Sequence, residues 1–238
     1  YKSMHNKNTK LSIVVPCFNE EKTIEKIIDK IIKYSPYDNE IIVIDDCSND
    51  KSKQILESEI KDKISKLIVN EKNYGKGYSV RKGIEAANGD IILIQDADLE
   101  YDPSDYFKLV EPIIAGYADV VYGSRFIGSE EKRILYYWHS LGNKVLTTFS
   151  NMFSNLNLTD MEVCYKVFRS NIIKKIKLKE NRFGFEPEIT AKIAKQKLRI
   201  YEVGVKYYGR KYSDGKKITW KDGLAAIKCI LYYNLFND

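Results

Sequence analysis

The stretch Ile91–Glu100 of this 238-residue chain reads IILIQDADLE, four aliphatic residues followed by a segment with three carboxylates. A short, continuous aliphatic run is typical of a strand buried on both faces of a parallel sheet. Open α/β sheets bind ligands at the carboxyl ends of their strands, where these carboxylates are expected to lie. Asp96 and Asp98 share strand parity, so both point to one side while Ala97 points to the other.

This Asp-x-Asp pattern has two interpretations. Two convergent carboxylates beside a small residue form an oxygen-rich site for Mg²⁺ or Mn²⁺, and the metal in turn binds phosphate. The alternative is a solvated acidic turn, because the pattern is common in proteins. The other strand ends of the chain help to choose between the two.

Strands alternate with amphipathic helices over the first half of the chain. The predicted strands are residues 11–16, 40–45, 64–69, 91–94 and 118–122. Apolar residues at helical spacing lie in the segments between them. Such alternation predicts an α/β fold with a mostly parallel sheet, flanked by helices and connected by right-handed crossovers.

Four of these strands end in residues that can bind a ligand. The strand ends carry Phe18-Asn19-Glu20, Asp45-Asp46, Asp96-Ala97-Asp98 and Ser124-Arg125. Each group alone is weak evidence for a binding site, since acidic residues often follow strands. Together, on a parallel sheet, they predict one binding site at the carboxyl edge.

Polar residues at helix starts are interpreted as caps. Asn19 is expected to cap the first helix, and Ser48 or Asn49 the second, because their side chains can accept hydrogen bonds from free backbone N–H groups. Glu186 and Glu188 are likewise interpreted as capping residues of a later helix.

The alternation ends after Arg125. The later elements are predicted as helices at residues 134–156, 187–196 and 220–236 and as strands at residues 162–168 and 198–208. The last helix is amphipathic. No change of composition marks a linker, so a single domain is predicted.

Composition narrows the class of protein. The formal net charge of +6 favours an anionic partner such as a nucleotide, a phospholipid surface or nucleic acid, although a lysine-rich genome gives the same excess. The four cysteines are scattered without metal-ligand spacing, which predicts free thiols in a reducing compartment. The polar N-terminus predicts no signal peptide, and no run approaches the roughly 20 apolar residues that span a bilayer.

An ordered set of segments resembles the family 2 glycosyltransferases, within their dolichyl-phosphate mannose synthase-like branch of polyprenyl-phosphate glycosyltransferases. The matching segments are residues 14–21 (VVPCFNEE), 43–48 (VIDDCS), 73–77 (NYGKG), 95–99 (QDADL), 123–125 (GSR), 159–166 (TDMEVCYK), 182–188 (RFGFEPE) and 212–217 (YSDGKK). Together they cover nearly the whole chain. The resemblance implies a GT-A (Rossmann-like) fold and inverting transfer of a sugar from a nucleotide-sugar.

The resemblance also implies a donor site. Its residues are expected to be Pro16, Phe18, Asn19, Glu20, Asp46, Lys76, Asp96, Ala97 and Asp98. The first five are expected to hold the base and ribose, and Lys76 to lie near the nucleotide. Asp96 and Asp98 are expected to bind the diphosphate through Mg²⁺ or Mn²⁺. Glu100 is the third predicted metal ligand, at a position where relatives often have Gln.

The expected chemistry depends on the acceptor. A departing nucleoside diphosphate leaves negative charge on oxygen, which a cation neutralises without proton transfer. A polyprenyl phosphate, with a second pKa of about 6, is largely anionic at neutral pH and needs positive residues more than a base. The predicted acceptor-phosphate set is Ser124, Arg125, Arg133, Arg210 and Lys216. A hydroxyl acceptor would require a general base, for which Asp160 is the candidate. The predicted catalytic residues are Asp98, Arg125 and Asp160.

The sequence thus predicts a metal-dependent hexosyltransferase that uses GDP-mannose or UDP-glucose and acts on a polyprenyl or dolichyl phosphate. In the single domain of residues 1–238, residues 1–125 are the expected nucleotide-sugar half and residues 126–238 the acceptor half. A cytoplasmic enzyme is expected, held peripherally at the cytosolic membrane face by its surface or by a membrane-protein partner. Residues 136–138 and 224–236 are candidates for membrane contact or for core packing.

Three alternatives accompany this prediction. A hydroxyl group of a glycan or glycolipid could be the acceptor. A nucleotidyltransferase can use a similar sheet and metal pair, but the Asn-Glu-Glu after the first strand argues against it, because such enzymes usually carry a Gly-rich, basic loop there. A nucleic-acid binder is suggested only by the charge, and no basic stripe with interleaved aromatics accompanies it, so no nucleic-acid partner is predicted.

Overall fold

The computed structural model describes residues 9–128, 133–134, 136–210 and 220–236. These residues form a seven-stranded sheet in the order β3-β2-β1-β4-β6-β5-β7. The strands are β1 (Lys10–Cys17), β2 (Asp38–Asp45), β3 (Lys66–Val69), β4 (Ile91–Ile94), β5 (Val120–Ser124), β6 (Lys166–Arg169) and β7 (Ile200–Gly204). Strand β6 is antiparallel to β4 and β5, whereas the other pairs are parallel. The predicted mostly parallel α/β sheet is confirmed.

Helices flank this sheet. They are α1 (Ile24–Tyr34), α2 (Ser52–Gln54, continued by a π-helical turn at Ile55–Glu59), α3 (Lys76–Ala86), α4 (Tyr106–Ile114), α5 (Tyr137–Ser154), α6 (Ser170–Ile173), α7 (Phe185–Lys195) and α8 (Trp220–Leu235). Helix α3 packs on β1 and β2, while α5, α7 and α8 pack on one another. None of the helices within the described ranges is long and apolar enough to cross a membrane.

The core explains why β4 reads as an unbroken aliphatic run. All four residues of β4 are buried, because this strand lies between β1 and β6 in the middle of the sheet. The parallel register places Val14 opposite Ile94 and Cys17 opposite Asp45. The carboxyl ends of β1, β2 and β4 therefore lie side by side.

The predicted caps of the first two helices are wrong. Helix α1 begins only at Ile24, and Asn19 adopts a left-handed conformation with φ of 54°. The Asn19 side chain instead accepts a hydrogen bond from the Asn49 backbone N–H (2.8 Å), and the Ser48 hydroxyl accepts one from the Asn19 N–H (3.0 Å). These polar groups join two neighbouring loops, a role that spacing along the chain does not reveal.

The two strands of the second half are shorter than predicted. The strands expected over residues 162–168 and 198–208 begin at Lys166 and end at Gly204, respectively. Residues 162–165 lie instead in the turn that leads into β6. The four cysteines carry free thiols, as predicted.

Candidate active site

The aligned strand ends open into a cavity of about 990 Å³. Its walls include Pro16 in β1, Phe18 and Glu20 after that strand, Asp46 after β2, and the segment 96–98 after β4. Asn19, which was predicted to bind the nucleotide, is not among the described residues that line it. The carboxyl edge of the sheet thus provides a concave surface rich in carboxylates.

Gln95 fixes the turn that carries the two aspartates. Its buried amide oxygen accepts hydrogen bonds from the hydroxyls of Tyr106 (2.8 Å) and Tyr165 (2.7 Å). Its amide nitrogen donates to the Asp96 carbonyl oxygen (3.1 Å). These bonds limit the positions that the Asp96 and Asp98 carboxylates can take.

Asp46 anchors the glycine-rich loop before α3. Its carboxylate accepts hydrogen bonds from the backbone N–H groups of Tyr74 (3.0 Å) and Gly75 (2.7 Å). Gly75 has φ of 104°, and a Cβ there would lie 2.5 Å from the Asn181 carbonyl oxygen, so only glycine fits this position. This loop sets where Lys76 enters the cavity.

Lys76 bridges two carboxylates. Its ammonium lies 3.0 Å from Asp96 Oδ1 and 3.1 Å from Glu186 Oε1. Burial acts to lower the pKa of Lys76, but the neighbouring carboxylates, Asp96 foremost, hold it well above its usual value. Lys76 is therefore a fixed positive charge beside Asp96.

Arg210 neutralises three further carboxylates of the cavity. Its guanidinium lies 2.7 Å from Asp98 Oδ2, 3.2 Å from Glu20 Oε1 and 3.7 Å from Glu100 Oε1. Burial and the charges of Asp96 and Glu100 raise the pKa of Asp98 to about 7, an effect that Arg210 opposes. The predicted acceptor-binding arginine is thus bound to the predicted metal ligands.

The predicted metal ligands fit a divalent cation by their chemistry. Asp96, Asp98 and Glu100 offer only carboxylate oxygens, the donors that Mg²⁺ and Mn²⁺ prefer. Within the described ranges, no group of three acidic, histidine or cysteine side chains is arranged to hold a metal. The reason is that Asp96 turns toward Lys76, whereas Asp98 and Glu100 turn toward Arg210.

Arg125 and Asp160 form a buried, bidentate ion pair. Arg125 Nε lies 2.6 Å from Asp160 Oδ2, and Arg125 Nη2 lies 2.6 Å from Oδ1. Asp160 is fully buried and is not among the described residues that line the cavity. Because both of its oxygens accept hydrogen bonds, the geometry does not fit the predicted role of Asp160 as a base. Arg125 does line the cavity, with its guanidinium 5.3 Å from the centre of the Tyr207 ring.

Two further predicted acceptor residues, Ser124 and Arg133, are not among the described residues that line the cavity. The buried Ser124 hydroxyl lies 2.6 Å from the Thr159 hydroxyl and accepts a hydrogen bond from the Phe126 N–H. Arg133 donates a hydrogen bond to the Gly209 carbonyl oxygen (2.6 Å). Lys216 lies outside the described residues.

The sequence did not predict the places of two cavity residues, Glu186 and Glu162. Glu186, interpreted as a cap, makes no capping hydrogen bond and pairs with Lys76 instead. Glu188 accepts hydrogen bonds from the Lys179 and Glu180 N–H groups (both 2.7 Å) of the preceding loop. Glu162, which had no predicted role, also lines the cavity. The only signal for Glu162 and Glu186 was that both stand in segments that resemble the family.

Comparison with known proteins identifies the family. The sequence model of Glycosyl transferase family 2 matches residues 12–177, so this chain belongs to that family of glycosyltransferases, and the predicted resemblance is confirmed. The chain is 27% identical to undecaprenyl-phosphate 4-deoxy-4-formamido-L-arabinose transferase from Proteus mirabilis, over 90% of this chain and 64% of the relative. It is 28% identical to UDP-N-acetylglucosamine–dolichyl-phosphate N-acetylglucosaminyltransferase from Methanococcus voltae, over 84% and 86% respectively. The chain therefore spans less than two thirds of the arabinose transferase.

A solved structure shows the same fold. Glucosyl-3-phosphoglycerate synthase from Mycobacterium tuberculosis, crystallised with Mn²⁺ and UDP, superposes with a TM-score of 0.74 at 18% identity. The similarity covers 97% of this chain and 82% of that protein. The GT-A fold is thereby confirmed.

The buried ion pair yields a stability prediction. Asp160→Ala is expected to lower the free energy of unfolding by about 3–5 kcal/mol, because it leaves the Arg125 cation buried without its partner. The control is Asp29→Ala, which removes an ion pair of similar length (2.7 Å to Lys63) whose Asp29 side chain is 52% exposed. A much smaller loss is expected there. Urea unfolding measures both, and equal losses would contradict the structural role of Asp160.

Proposed function

We propose that this chain transfers a hexosyl group from a nucleotide-sugar to a polyprenyl phosphate, with inversion at the anomeric carbon. The main observation in support is the charge pattern of the cavity, where Asp96 and Asp98 meet Lys76 and Arg210 at the carboxyl ends of parallel strands. The names of the two relatives, which act on undecaprenyl and dolichyl phosphate, support the acceptor class.

The donor is proposed to lie along the carboxyl edge of the sheet. Pro16, Phe18 and Asp46 line the part of the cavity proposed for the base and ribose, and Asp96 and Asp98 the part proposed for the diphosphate. Asp96, Asp98 and Glu100 would hold Mg²⁺ or Mn²⁺. When bound, such a cation neutralises the charge that develops on the leaving diphosphate. Lys76 and Arg210 are fixed cations beside the same carboxylates and can contact the phosphate oxygens.

The acceptor step needs charge more than proton transfer. A phosphate oxygen of the acceptor forms a bond to the anomeric carbon, and the bond from that carbon to the diphosphate oxygen breaks, with the electron pair leaving on the nucleoside diphosphate. Arg125 lines the cavity and is proposed to attract the anionic acceptor. The engagement of both Asp160 oxygens by Arg125 favours a phosphate acceptor over a hydroxyl acceptor, which would need a base.

A membrane contact is proposed next to the cavity. Helix α5 exposes large apolar side chains, among them Tyr137 (71% exposed) and Trp138 (76%), and the neighbouring α8 exposes Leu235 (55%). Trp138 also lines the cavity. Exposed aromatic and aliphatic side chains beside a site for a lipid phosphate suit a peripheral enzyme at the cytosolic membrane face.

A transfer assay tests the proposal. Labelled UDP-glucose, UDP-N-acetylglucosamine and GDP-mannose are incubated with undecaprenyl or dolichyl phosphate and Mg²⁺ or Mn²⁺. We expect label in the lipid extract and release of free nucleoside diphosphate from at least one donor. Asp98→Asn is expected to reduce this rate by about 10²–10³-fold, the range found when one electrostatic group of a transition-state site is removed.

The control for Asp98→Asn is Asp102→Asn in the same loop. Asp102 pairs with Lys30 (3.0 Å), and neither residue is among the described residues that line the cavity. Little change in the transfer rate is expected. Release of pyrophosphate would indicate nucleotidyl transfer. Label found only on water-soluble glycans would indicate a hydroxyl acceptor.

Vesicle flotation tests the membrane contact separately. The chain is expected to float with anionic vesicles that contain undecaprenyl phosphate. Replacing both Tyr137 and Trp138 by serine is expected to weaken binding at least about tenfold, because each large apolar side chain contributes about 1.5–3 kcal/mol when buried. Tyr117→Ser is the control. Tyr117 is 63% exposed, but it lies before the amino end of β5, whereas the cavity lies at the carboxyl ends of the strands. Absence of wild-type binding would reject direct membrane contact.

A further inference from the structure

Two carboxylates of the cavity each have an oxygen without a hydrogen-bond partner in the part of the chain that the structure describes. Glu186 is 3% exposed, and its Oε1 contacts Lys76, but its buried Oε2 has no partner among the described residues. Glu162 Oε1 is also buried and without a partner in that part of the chain. Both side chains line the cavity. Buried polar atoms are rarely left unpaired, so a ligand that donates hydrogen bonds is expected here.

These two residues connect the position proposed for the donor diphosphate with the position proposed for the acceptor phosphate. Glu186 is joined to Asp96 through Lys76, which contacts both carboxylates. Glu162 follows Asp160 by two positions, and Asp160 holds Arg125. A transferred sugar must lie between the diphosphate, which leaves from one side of its anomeric carbon, and the acceptor, which attacks from the other. Glu162 and Glu186, which both line the cavity, would therefore lie beside the proposed position of the sugar.

The fully buried cation Lys166 makes no hydrogen bond to these two oxygens. Lys166 is fully buried, and its ammonium donates to the carbonyl oxygens of Met161 (3.0 Å) and Val163. It thereby holds the turn that carries Glu162. Burial, and then the charge of Glu186, raise the pKa of Glu162 to about 8, as expected where two carboxyl groups face one space.

We infer that Glu162 and Glu186 accept hydrogen bonds from hydroxyl groups of the donor sugar and exclude sugars that carry a carboxylate. Hexose hydroxyls supply the donors that these oxygens lack. A uronic acid would bring a further negative charge against the same two groups in a poorly solvated space. This inference rests on the proposed function, since it requires a nucleotide-sugar in the cavity.

The test compares probes that differ only at carbon 6 of the sugar. Binding of UDP-glucose and UDP-glucuronic acid is measured by calorimetry, together with GDP-mannose and GDP-mannuronic acid and with UDP and GDP alone. Wild type is expected to bind the neutral sugar nucleotide of the preferred base at least about tenfold more tightly than its uronic acid counterpart. At pH 8.5, above the pKa of Glu162, Glu162→Gln and Glu186→Gln are each expected to reduce this ratio at least about threefold, because each then removes a repelling charge. Both variants are expected to retain binding of the nucleoside diphosphate alone, which shows that the folded site is intact.

Glu188→Gln is the matched control. It stands two positions after Glu186 in the same helix, but its oxygens bind backbone N–H groups and it is not among the described residues that line the cavity. Its ratio is expected to equal that of wild type. Equal wild-type binding of the neutral and acidic sugar nucleotides would overturn the inference, and so would an unchanged affinity ratio in both test variants. In either case, binding of the nucleotides would still support the proposed function. Failure of every nucleotide and nucleotide-sugar to bind would reject both.

Discussion

The structure depends on the neutralisation of carboxylates that the parallel sheet brings to one edge. Asp96, Asp98 and Glu100 follow β4 within six residues, and they would repel one another strongly in a partly buried space. Lys76 and Arg210 supply the compensating charges at 3.0 Å and 2.7 Å from Asp96 and Asp98. The position of Lys76 depends in turn on the glycine-rich loop that Asp46 anchors, so β2, α3 and β4 all contribute to one charge arrangement.

This charge arrangement suits the carboxyl edge of the sheet to a charged ligand. The oxygens of a diphosphate and the carboxylates compete for Lys76 and Arg210, while a divalent cation and these two side chains compete for the carboxylates. Arg125 differs from these two cations, because Asp160 binds its guanidinium and Arg125 still lines the cavity. The three cations thus belong to different parts of the site, two at the proposed diphosphate position and one toward the proposed acceptor.

The sequence predicted the features that depend on local patterns. The aliphatic run before Asp96 identified a buried strand, and parallel strands place their carboxyl ends at one edge, so the position of the site followed. The ion pairs that organise the site were not predictable, because Lys76 and Glu186, or Asp98 and Arg210, are more than 100 residues apart and share no local pattern. Glu186 illustrates the difference. Its place in the first turn of a helix favoured a cap, whereas the fold brings it to Lys76.

The central claim is that the carboxylates and cations at this edge bind a nucleoside diphosphate with a divalent metal. Thermal unfolding with UDP or GDP, each with and without Mn²⁺, tests it most directly. A ligand at 100 times its dissociation constant adds about 2.7 kcal/mol to the free energy of unfolding. We expect one of the two nucleotides to stabilise the chain, more with Mn²⁺ than without, and Asp98→Asn to remove the effect of the metal. No stabilisation by either nucleotide, with or without Mn²⁺, would contradict the claim.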